Sequence, residues 1–282
     1  MTVFLFACYA VAGSVVGIDN SRVPESEGTT ALALLVACAL EVAVMTALIL
    51  RSRWTGWKLV AAVFFVFYGV TTFMPQIESA VFITRMPPGT VPRLFLMGAL
   101  VAAPFSLAAA AILARRKPNG VEPERANRRV MAAGEWAWKL AVIAVAYLVL
   151  YFTFGYFIAW KNPAVQEYYG GTDPGSFAAQ MTSVVRATPW LVPLQVLRAM
   201  FWVLIAMPVA RMLKGQMVET ALMLGLLFGV VMNAQLLIPN PYMPEAVRMA
   251  HLVETASSNF IFGLLVGWLL TEREITGKPA IA

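Results

Sequence analysis

Charged side chains are scarce in this sequence. Only 13% of its 282 residues are Asp, Glu, Lys or Arg, while 60% are hydrophobic. A soluble globular domain carries about twice that charged fraction, so the composition excludes an ordinary soluble domain. The formal net charge of +6 does not indicate a nucleic-acid partner, because the basic residues collect in particular loops, as they do in a membrane-topology signal.

Cysteine and histidine are scarcer still, with two and one residues respectively. Cys8 and Cys38 fall inside apolar blocks, where they are interpreted as small hydrophobic residues rather than as a disulfide or a metal site. His251 and Glu254 have the spacing of a helical metal-ligand pair. The other half of such a site would have to come from Glu78 alone, so we predict no metal and no cofactor. Soluble hydrolase and nucleotide-binding motifs are also absent.

The sequence is instead rich in apolar runs long enough to cross a bilayer, which takes roughly 20 residues as a helix. These runs predict an all-α, polytopic transmembrane bundle of about eight spans, forming a single integral membrane domain over residues 1–282. No Lys or Arg precedes the first run, which favours a retained span over a cleaved signal peptide. The predicted spans are 3–18, 30–50, 59–82, 94–114, 137–160, 188–210, 218–238 and 249–270.

The distribution of Lys and Arg predicts the orientation of the bundle. The more basic side holds 14 of the 21 Lys and Arg residues, in the loops 51–58 and 115–136 and at Lys139, Arg211, Lys214, Arg273 and Lys278. Because basic loops stay in the cytoplasm, both termini and the loop 115–136 are expected there. The membrane we expect is the inner membrane of a bacterium.

The loop 115–136 also divides the spans into two groups of four. Each group begins and ends in the cytoplasm, which allows a parallel four-plus-four repeat. The resemblance of RMPPGTVPRL before the fourth span to YMPEAVRMA before the eighth supports such a repeat weakly. Within spans seven and eight, the pairs Gly225/Gly229 and Gly263/Gly267 predict close helix packing, of seven against eight.

The outer connection 161–187 is unusually long. Asp173 or Ser176 is expected to cap a short amphipathic helix that starts at Phe177. Such a helix either lies at the membrane surface without a further role or folds over the spans as a lid.

Polar side chains within the spans are few, and such groups usually face a protein interior or water. At 1.5 Å per residue from the predicted outer ends, they fall into two layers, which predicts a cavity open to the outside. Pro75 is expected to bend its helix and make the residues beside it a second wall of the site. The outer layer holds Glu78, Asn233, Gln235, His251 and Glu254, and the deeper one holds Glu41, Arg198 and Asn259. Gln76 and Glu78 follow Pro75 in the second wall.

The last span begins with a polar stripe. His251, Glu254, Thr255 and Ser258 follow the spacing i, i+3, i+4 and i+7, and Asn259 extends this face of the helix by one place. The stripe is expected to face the bundle interior, where it either lines a site or simply holds helices together through hydrogen bonds.

Arg198 keeps its charge and at the midplane it needs an anionic partner or a bound anion. Glu41 has the same estimated depth, which predicts an Arg198–Glu41 ion pair. Pro189 and Pro193 qualify this prediction, because a later start of span six would bring Arg198 nearer the surface.

These features favour, by a small margin, a carrier or binding protein for a small or lipidic molecule that enters from the outer side. Glu78 and Glu254 would share one cavity and bind a proton between them. One alternative is a membrane-embedded enzyme acting on a lipid or isoprenoid, with Glu254 and His251 as acid and base. Another is an accessory subunit of a membrane complex. The expected partners are the lipid bilayer and a small-molecule or lipid ligand; no particular protein partner is indicated.

Overall fold

The protein is a bundle of helices. The computed structural model describes residues 1–17, 27–83, 86–114, 131–213 and 217–271. The predicted cytoplasmic loop 115–136 lies mostly outside these residues, as do the last residues of the chain. The α-helices are α1 (Thr2–Val16), α2 (Glu27–Arg51), α3 (Gly56–Tyr68), α4 (Met74–Phe82), α5 (Thr90–Ala114), α6 (Ala133–Phe154), α7 (Pro163–Tyr169), α8 (Phe177–Ala187), α9 (Leu191–Met212), α10 (Met217–Leu226) and α11 (Glu245–Leu270).

The predicted all-α architecture of about eight spans is confirmed. Within the described residues, seven helical stretches are long and apolar enough to cross a membrane. The predicted first span corresponds to α1, an apolar helix of 15 residues. It packs on α2 and α5, and its Leu5, Tyr9 and Ala12 are buried. The first apolar block is therefore part of the bundle core.

Three of the long helical stretches contain a π segment, in which hydrogen bonds run from residue i to i+5. The first, π1 (Gly69–Phe73), joins α3 to α4; π2 (Gly155–Ala159) extends α6; and π3 (Leu227–Val231) follows α10 and leads to a 3₁₀ turn (Ala234–Leu237). Pro75 comes just after π1, and a proline removes one N–H from the helical ladder. The irregularity predicted at Pro75 takes the form of this π segment.

The two groups of four spans pack in the same way. In the first group, α1 packs on α2 and α5, and α5 also packs on α2 and α3; in the second, α6 packs on α9 and α11, and α11 also packs on α9 and α10. Between the groups, α2 packs on π3 and the 3₁₀ turn, α9 packs on α3, and π1 meets π3. This arrangement agrees with a parallel four-plus-four repeat.

Helices α10 and α11 approach closely through glycine, as the sequence predicts. A Cβ atom on Gly263 would lie 2.4 Å from the Leu224 carbonyl oxygen, and one on Gly267 would lie 2.4 Å from the Ala221 Cα atom. No side chain fits at either distance, so these two glycines set the separation of the helices.

The connection between α6 and α9 forms two short helices rather than one. The predicted helix at Phe177 is α8, and the Ser176 hydroxyl caps it by accepting from the Ala179 N–H at 3.2 Å. No residue of α8 is buried. The unpredicted helix α7 packs on α11, where Val165 lies in a small apolar cluster with Val247. It is α7, therefore, that covers the end of α11.

Candidate functional site

The centre of the candidate site is Arg198 on α9, which is only 1% exposed. Its Nη2 donates to Glu78 on α4, and its Nη1 donates to Gln195 Oε1 at 2.8 Å. The guanidinium carbon lies 5.7 Å from the centre of the Tyr147 ring. The side chain of Glu78 is 30% exposed, so a buried cation is joined to a carboxylate that water can reach.

This geometry corrects the predicted Arg198–Glu41 pair. Helix α9 begins at Leu191, three residues later than predicted, so Arg198 lies only about 10 Å below the start of its helix. At that depth it is level with Glu78, about one turn before the end of α4. Glu41 is fully buried elsewhere, where the Tyr9 hydroxyl lies 3.3 Å from both carboxyl oxygens.

The polar stripe of α11 faces the bundle interior. Glu254, Ser258 and Asn259 are buried, whereas Val253 and Ile261 on the opposite face are 58% and 44% exposed. An apolar face of this kind suits contact with lipid, and the polar face meets other helices.

The stripe divides into two parts. Thr255 donates to Asn233 Oδ1 at 2.5 Å, and Asn259 donates to a methionine sulfur at 3.2 Å. These bonds join α11 to the end of the α10 span. This part of the stripe therefore holds helices together through hydrogen bonds. His251 and Glu254 instead contact each other, with Nδ1 and Oε2 2.7 Å apart. They form an ionisable pair one turn nearer the α7–α8 segment.

The Tyr169 hydroxyl of α7 contacts this pair and is also influenced electrostatically by Glu78. It lies 3.2 Å from His251 Nε2. Burial raises the pKa of the Tyr169 hydroxyl, and the neighbouring Tyr168, Glu78 and Glu254 raise it further. Both carboxylates are therefore within electrostatic range of one hydroxyl group. That they share one proton-binding cavity stays a prediction.

The remaining predicted residues have other surroundings. Gln76 is buried on α4, and its Oε1 has no hydrogen-bond partner among the described residues. Asn233 donates to two carbonyls of π3 at 3.0 Å, where a π segment leaves backbone acceptors to satisfy. Gln235 donates to the Tyr9 hydroxyl at 3.1 Å. It therefore belongs to the cluster around Glu41 and not to the Arg198 site.

Tyrosines and one glutamine are the site residues missing from the prediction. Tyr147 is buried on α6 and its hydroxyl accepts from Trp202 Nε1 at 3.4 Å. Tyr151 follows one turn later on the same face. The signal was present in the sequence, because two tyrosines at i and i+4 in an apolar helix need partners for their hydroxyls. Gln195 precedes Arg198 by three residues, which places both side chains on one face of α9.

Two buried donors of the site are unsatisfied. Arg198 Nε and Gln195 Nε2 have no hydrogen-bond partner among the described residues. Buried polar atoms in proteins are nearly always paired with protein, water or ligand. Unsatisfied donors of this kind suit an acceptor oxygen. In the described part of the chain, no group of three or more His, Cys, Asp and Glu residues is placed to hold a metal ion.

No protein-family model, no curated protein and no solved structure matches the chain. Function is therefore inferred from the chemistry of the site itself.

Proposed function

We propose that the protein is a carrier or binding protein for a small or lipid-like molecule with an acidic or oxygen-rich head, which reaches Arg198 from the α7–α8 end. The observation that carries this proposal is the Arg198–Glu78 pair, which joins the two groups of four spans. Carriers built from repeats commonly place their binding site between the repeats and near irregular helix segments. Here π1 lies just before Glu78 on the chain.

Arg198 is suited to hold a carboxylate or phosphate oxygen. Its guanidinium is permanently charged and presents several donors in one plane. In the resting protein Glu78 supplies the counter-charge, because a buried cation without one is strongly unfavourable. An acidic head group could take the place of Glu78 and also satisfy the free donors of Arg198 and Gln195. Glu78 can withdraw because its side chain already reaches water.

The His251–Glu254 pair would then take part in binding and releasing a proton. A carboxylate released from Arg198 would lie within electrostatic range of the Tyr169 hydroxyl together with Glu254. Two ionised carboxylates in such surroundings repel each other, and a proton bound by either one relieves the repulsion. Ligand binding and proton binding are thereby coupled in this proposal.

The same pair supports the second candidate, an enzyme acting on a lipid or isoprenoid. The bond between His251 Nδ1 and Glu254 Oε2 at 2.7 Å is the arrangement of a histidine base oriented by a carboxylate. In this case the bound molecule would change chemically, whereas a carrier releases it unchanged.

A density map of the wild-type protein, purified with its own membrane lipids in nanodiscs, tests the proposal. We expect non-protein density in contact with Arg198 and Gln195, and its loss in Arg198→Gln. Direct contact between Arg198 and Glu78 with only water nearby would contradict it. Native mass spectrometry of wild type and Glu254→Gln separates the two candidates. The same bound mass in both supports a carrier, and a substrate that accumulates only in Glu254→Gln supports an enzyme.

A further inference from the structure

Glu41 and Arg198, which have the lowest exposure of the charged side chains among the described residues, occupy corresponding spans. Helix α2 is the second span of the first group of four, and α9 is the second span of the second group. Each charged side chain contacts a tyrosine on the first span of its own group. Tyr9 of α1 binds the Glu41 carboxyl, and Tyr147 of α6 stacks near the Arg198 guanidinium.

The third member of each cluster comes from the opposite group. Glu78, which pairs with Arg198, lies about one turn after π1 in the third span of the first group. Gln235, which donates to Tyr9, lies about one turn after π3 in the third span of the second group. The Glu41 cluster and the Arg198 cluster thus follow one plan, repeated with the spans.

The charges of the two clusters differ. Where the second group has the Arg198 cation, the first has the Glu41 carboxyl, and where Arg198 meets a carboxylate, Glu41 meets the neutral Gln235 amide. The Gln235 Nε2 donates to the Tyr9 oxygen at 3.1 Å, which leaves the proton of the Tyr9 hydroxyl free to be donated to Glu41. No cation among the described residues balances Glu41.

The surroundings of Glu41 are neutral on every side. The side chain is 0% exposed. Tyr9 faces it from α1, Gln235 from the 3₁₀ turn, and Cys38 lies one turn earlier on α2 with Cys8 of α1 beyond it. The other elements packed on α2, which are α3, α5, α10 and π3, bring no further described titratable group that acts on its charge. An ionised carboxylate held only by neutral donors at membrane depth is strongly disfavoured.

We propose that Glu41 is a proton-binding site, occupied by a proton in the resting protein and assisted by Tyr9 and Gln235. Proton release leaves a carboxylate that accepts from the Tyr9 hydroxyl, and the proton passes to water. The proposal stands without the carrier function, and a proton-coupled carrier would make use of it.

Infrared difference spectroscopy of the protein in nanodiscs, titrated from neutral to alkaline pH, tests this site. In wild type we expect a carboxylic-acid carbonyl band at neutral pH that disappears as the pH rises. Glu41→Gln should lose the amplitude of one carboxyl group from this band, and Glu78→Gln, whose carboxylate is paired with Arg198, should keep it. Tyr9→Phe should shift the band, because the hydroxyl no longer donates to Glu41.

Two outcomes would overturn the proposal. A Glu41→Gln spectrum identical to wild type would mean that Glu41 is ionised at rest. Loss of the band on adding NaCl at constant pH would make this a sodium site instead of a proton site. Tyr9→Phe keeps the test decisive if Glu41→Gln does not fold. Because no ligand is added, failure here leaves the proposal for the Arg198 site untouched, and the reverse also holds.

Discussion

At the scale of single residues, the permanent charge of Arg198 dictates its neighbours. A guanidinium that is 1% exposed cannot lose its proton to lower the cost of burial, so it must keep an anionic partner. Glu78 is under less constraint, because its side chain is 30% exposed. The two partners of one ion pair should therefore respond differently to mutation.

We expect Glu78→Gln to destabilise the protein more than Arg198→Gln. The first change leaves a buried cation unpaired, which costs about 3–5 kcal/mol. The second leaves a carboxylate that reaches water, together with unsatisfied polar neighbours, at about 1–3 kcal/mol. Chemical unfolding of each variant in mild detergent measures the difference. The double variant should recover much of the loss from Glu78→Gln.

Glu41→Gln is the matched control for these variants, since it makes the same change at a buried glutamate that has no cationic partner. Its free energy of unfolding should equal that of wild type or exceed it. Equal losses in Glu78→Gln and Arg198→Gln, with additive effects in the double variant, would mean that the pair is not formed.

The sequence predicted correctly that Arg198 needs an anionic partner, but it named Glu41 instead of Glu78. Depth along a helix was estimated from the predicted span ends, and a shift of three residues at Leu191 moved Arg198 by about one turn. Pro189 and Pro193 had indicated that this helix could begin later than predicted. Depth also carries no information about which helices are neighbours. For this reason the partner of Glu41, Tyr9 on α1, could not be foreseen.

At the scale of helices, glycine spacing was a sufficient predictor of packing. Gly263→Ala should lower the free energy of unfolding by about 1–3 kcal/mol, the usual cost of overpacking, because the new Cβ would lie 2.4 Å from the Leu224 carbonyl oxygen. Gly13→Ala on α1 is the control, since a Cβ there meets nothing within 4 Å. Thermal unfolding of both variants in one detergent makes the comparison. A Gly263→Ala variant as stable as Gly13→Ala would contradict the close contact.

The connection before α9 is held by an ion pair between Lys161 and Asp173, with Nζ and Oδ2 2.5 Å apart. The hydrogen bond from Lys161, helped by the Gly175 N–H, holds the pKa of Asp173 below its ordinary value of 3.8. The hydrogen bond to Asp173, helped by Tyr156, raises the pKa of Lys161 above 10.5. The stabilisation from Asp173 is thus complete above its ordinary pKa and is lost as the pH falls through the lowered one. That from Lys161 is complete below 10.5 and is lost at higher pH.

This connection should therefore loosen in acid below about pH 4, while remaining intact at neutral pH. Trp160 reports on it, because its Nε1 donates to the Thr172 carbonyl at 3.4 Å. The fluorine resonance of 5-fluorotryptophan at position 160, assigned with Trp160→Phe, should shift in acid. In Asp173→Asn the resonance should already be shifted at neutral pH. An acid shift unchanged by Asp173→Asn would assign it to another group.

The two short helices of this connection differ in how well the local sequence predicts them. Helix α8 could be predicted, because it has a serine cap and apolar residues at helical spacing. Helix α7 has only seven residues, too few for periodicity to show. Its start was nevertheless marked by Asn162 as the cap and Pro163 as the first helical residue. The contact of α7 with α11 depends on the folded chain and has no local signal.

At the scale of the whole molecule, the similarity of the two groups of four spans is clearer in their packing than in their sequence. Apolar spans of equal length and order can pack alike after most side chains have changed. The features that the two groups share are positional: a tyrosine on the first span, a charged residue on the second and a π segment in the third. Their chemistry differs, with Arg198 and Glu41 at corresponding places. A search for identical residues in the two halves could not have found this correspondence.

The contact between Arg53 and the end of α9 shows which ends of these helices lie together, and the distribution of basic residues predicts the orientation of the bundle. The Arg51–Thr55 end carries Arg53, which donates to the Arg211 carbonyl at 2.9 Å, and it belongs to the side with most Lys and Arg. We therefore expect this end in the cytoplasm and the α7–α8 segment outside.

Single cysteines at Thr55 and Ser183, both exposed, test this orientation in a background where Cys8 and Cys38 are alanine. An impermeant maleimide added to intact cells should label the cysteine at Ser183. The cysteine at Thr55 should react only after the cells are permeabilised, because the reagent cannot cross the membrane to reach the cytoplasmic side. The substitutions are small and lie on exposed surfaces, so folding should be unchanged, and recovery of each protein in detergent provides the control.

Labelling of Thr55 and not Ser183 in intact cells would invert the orientation and place the Arg198 site on the cytoplasmic side. Labelling of both from outside would show that the two ends are not separated by the membrane and would refute the arrangement of spans.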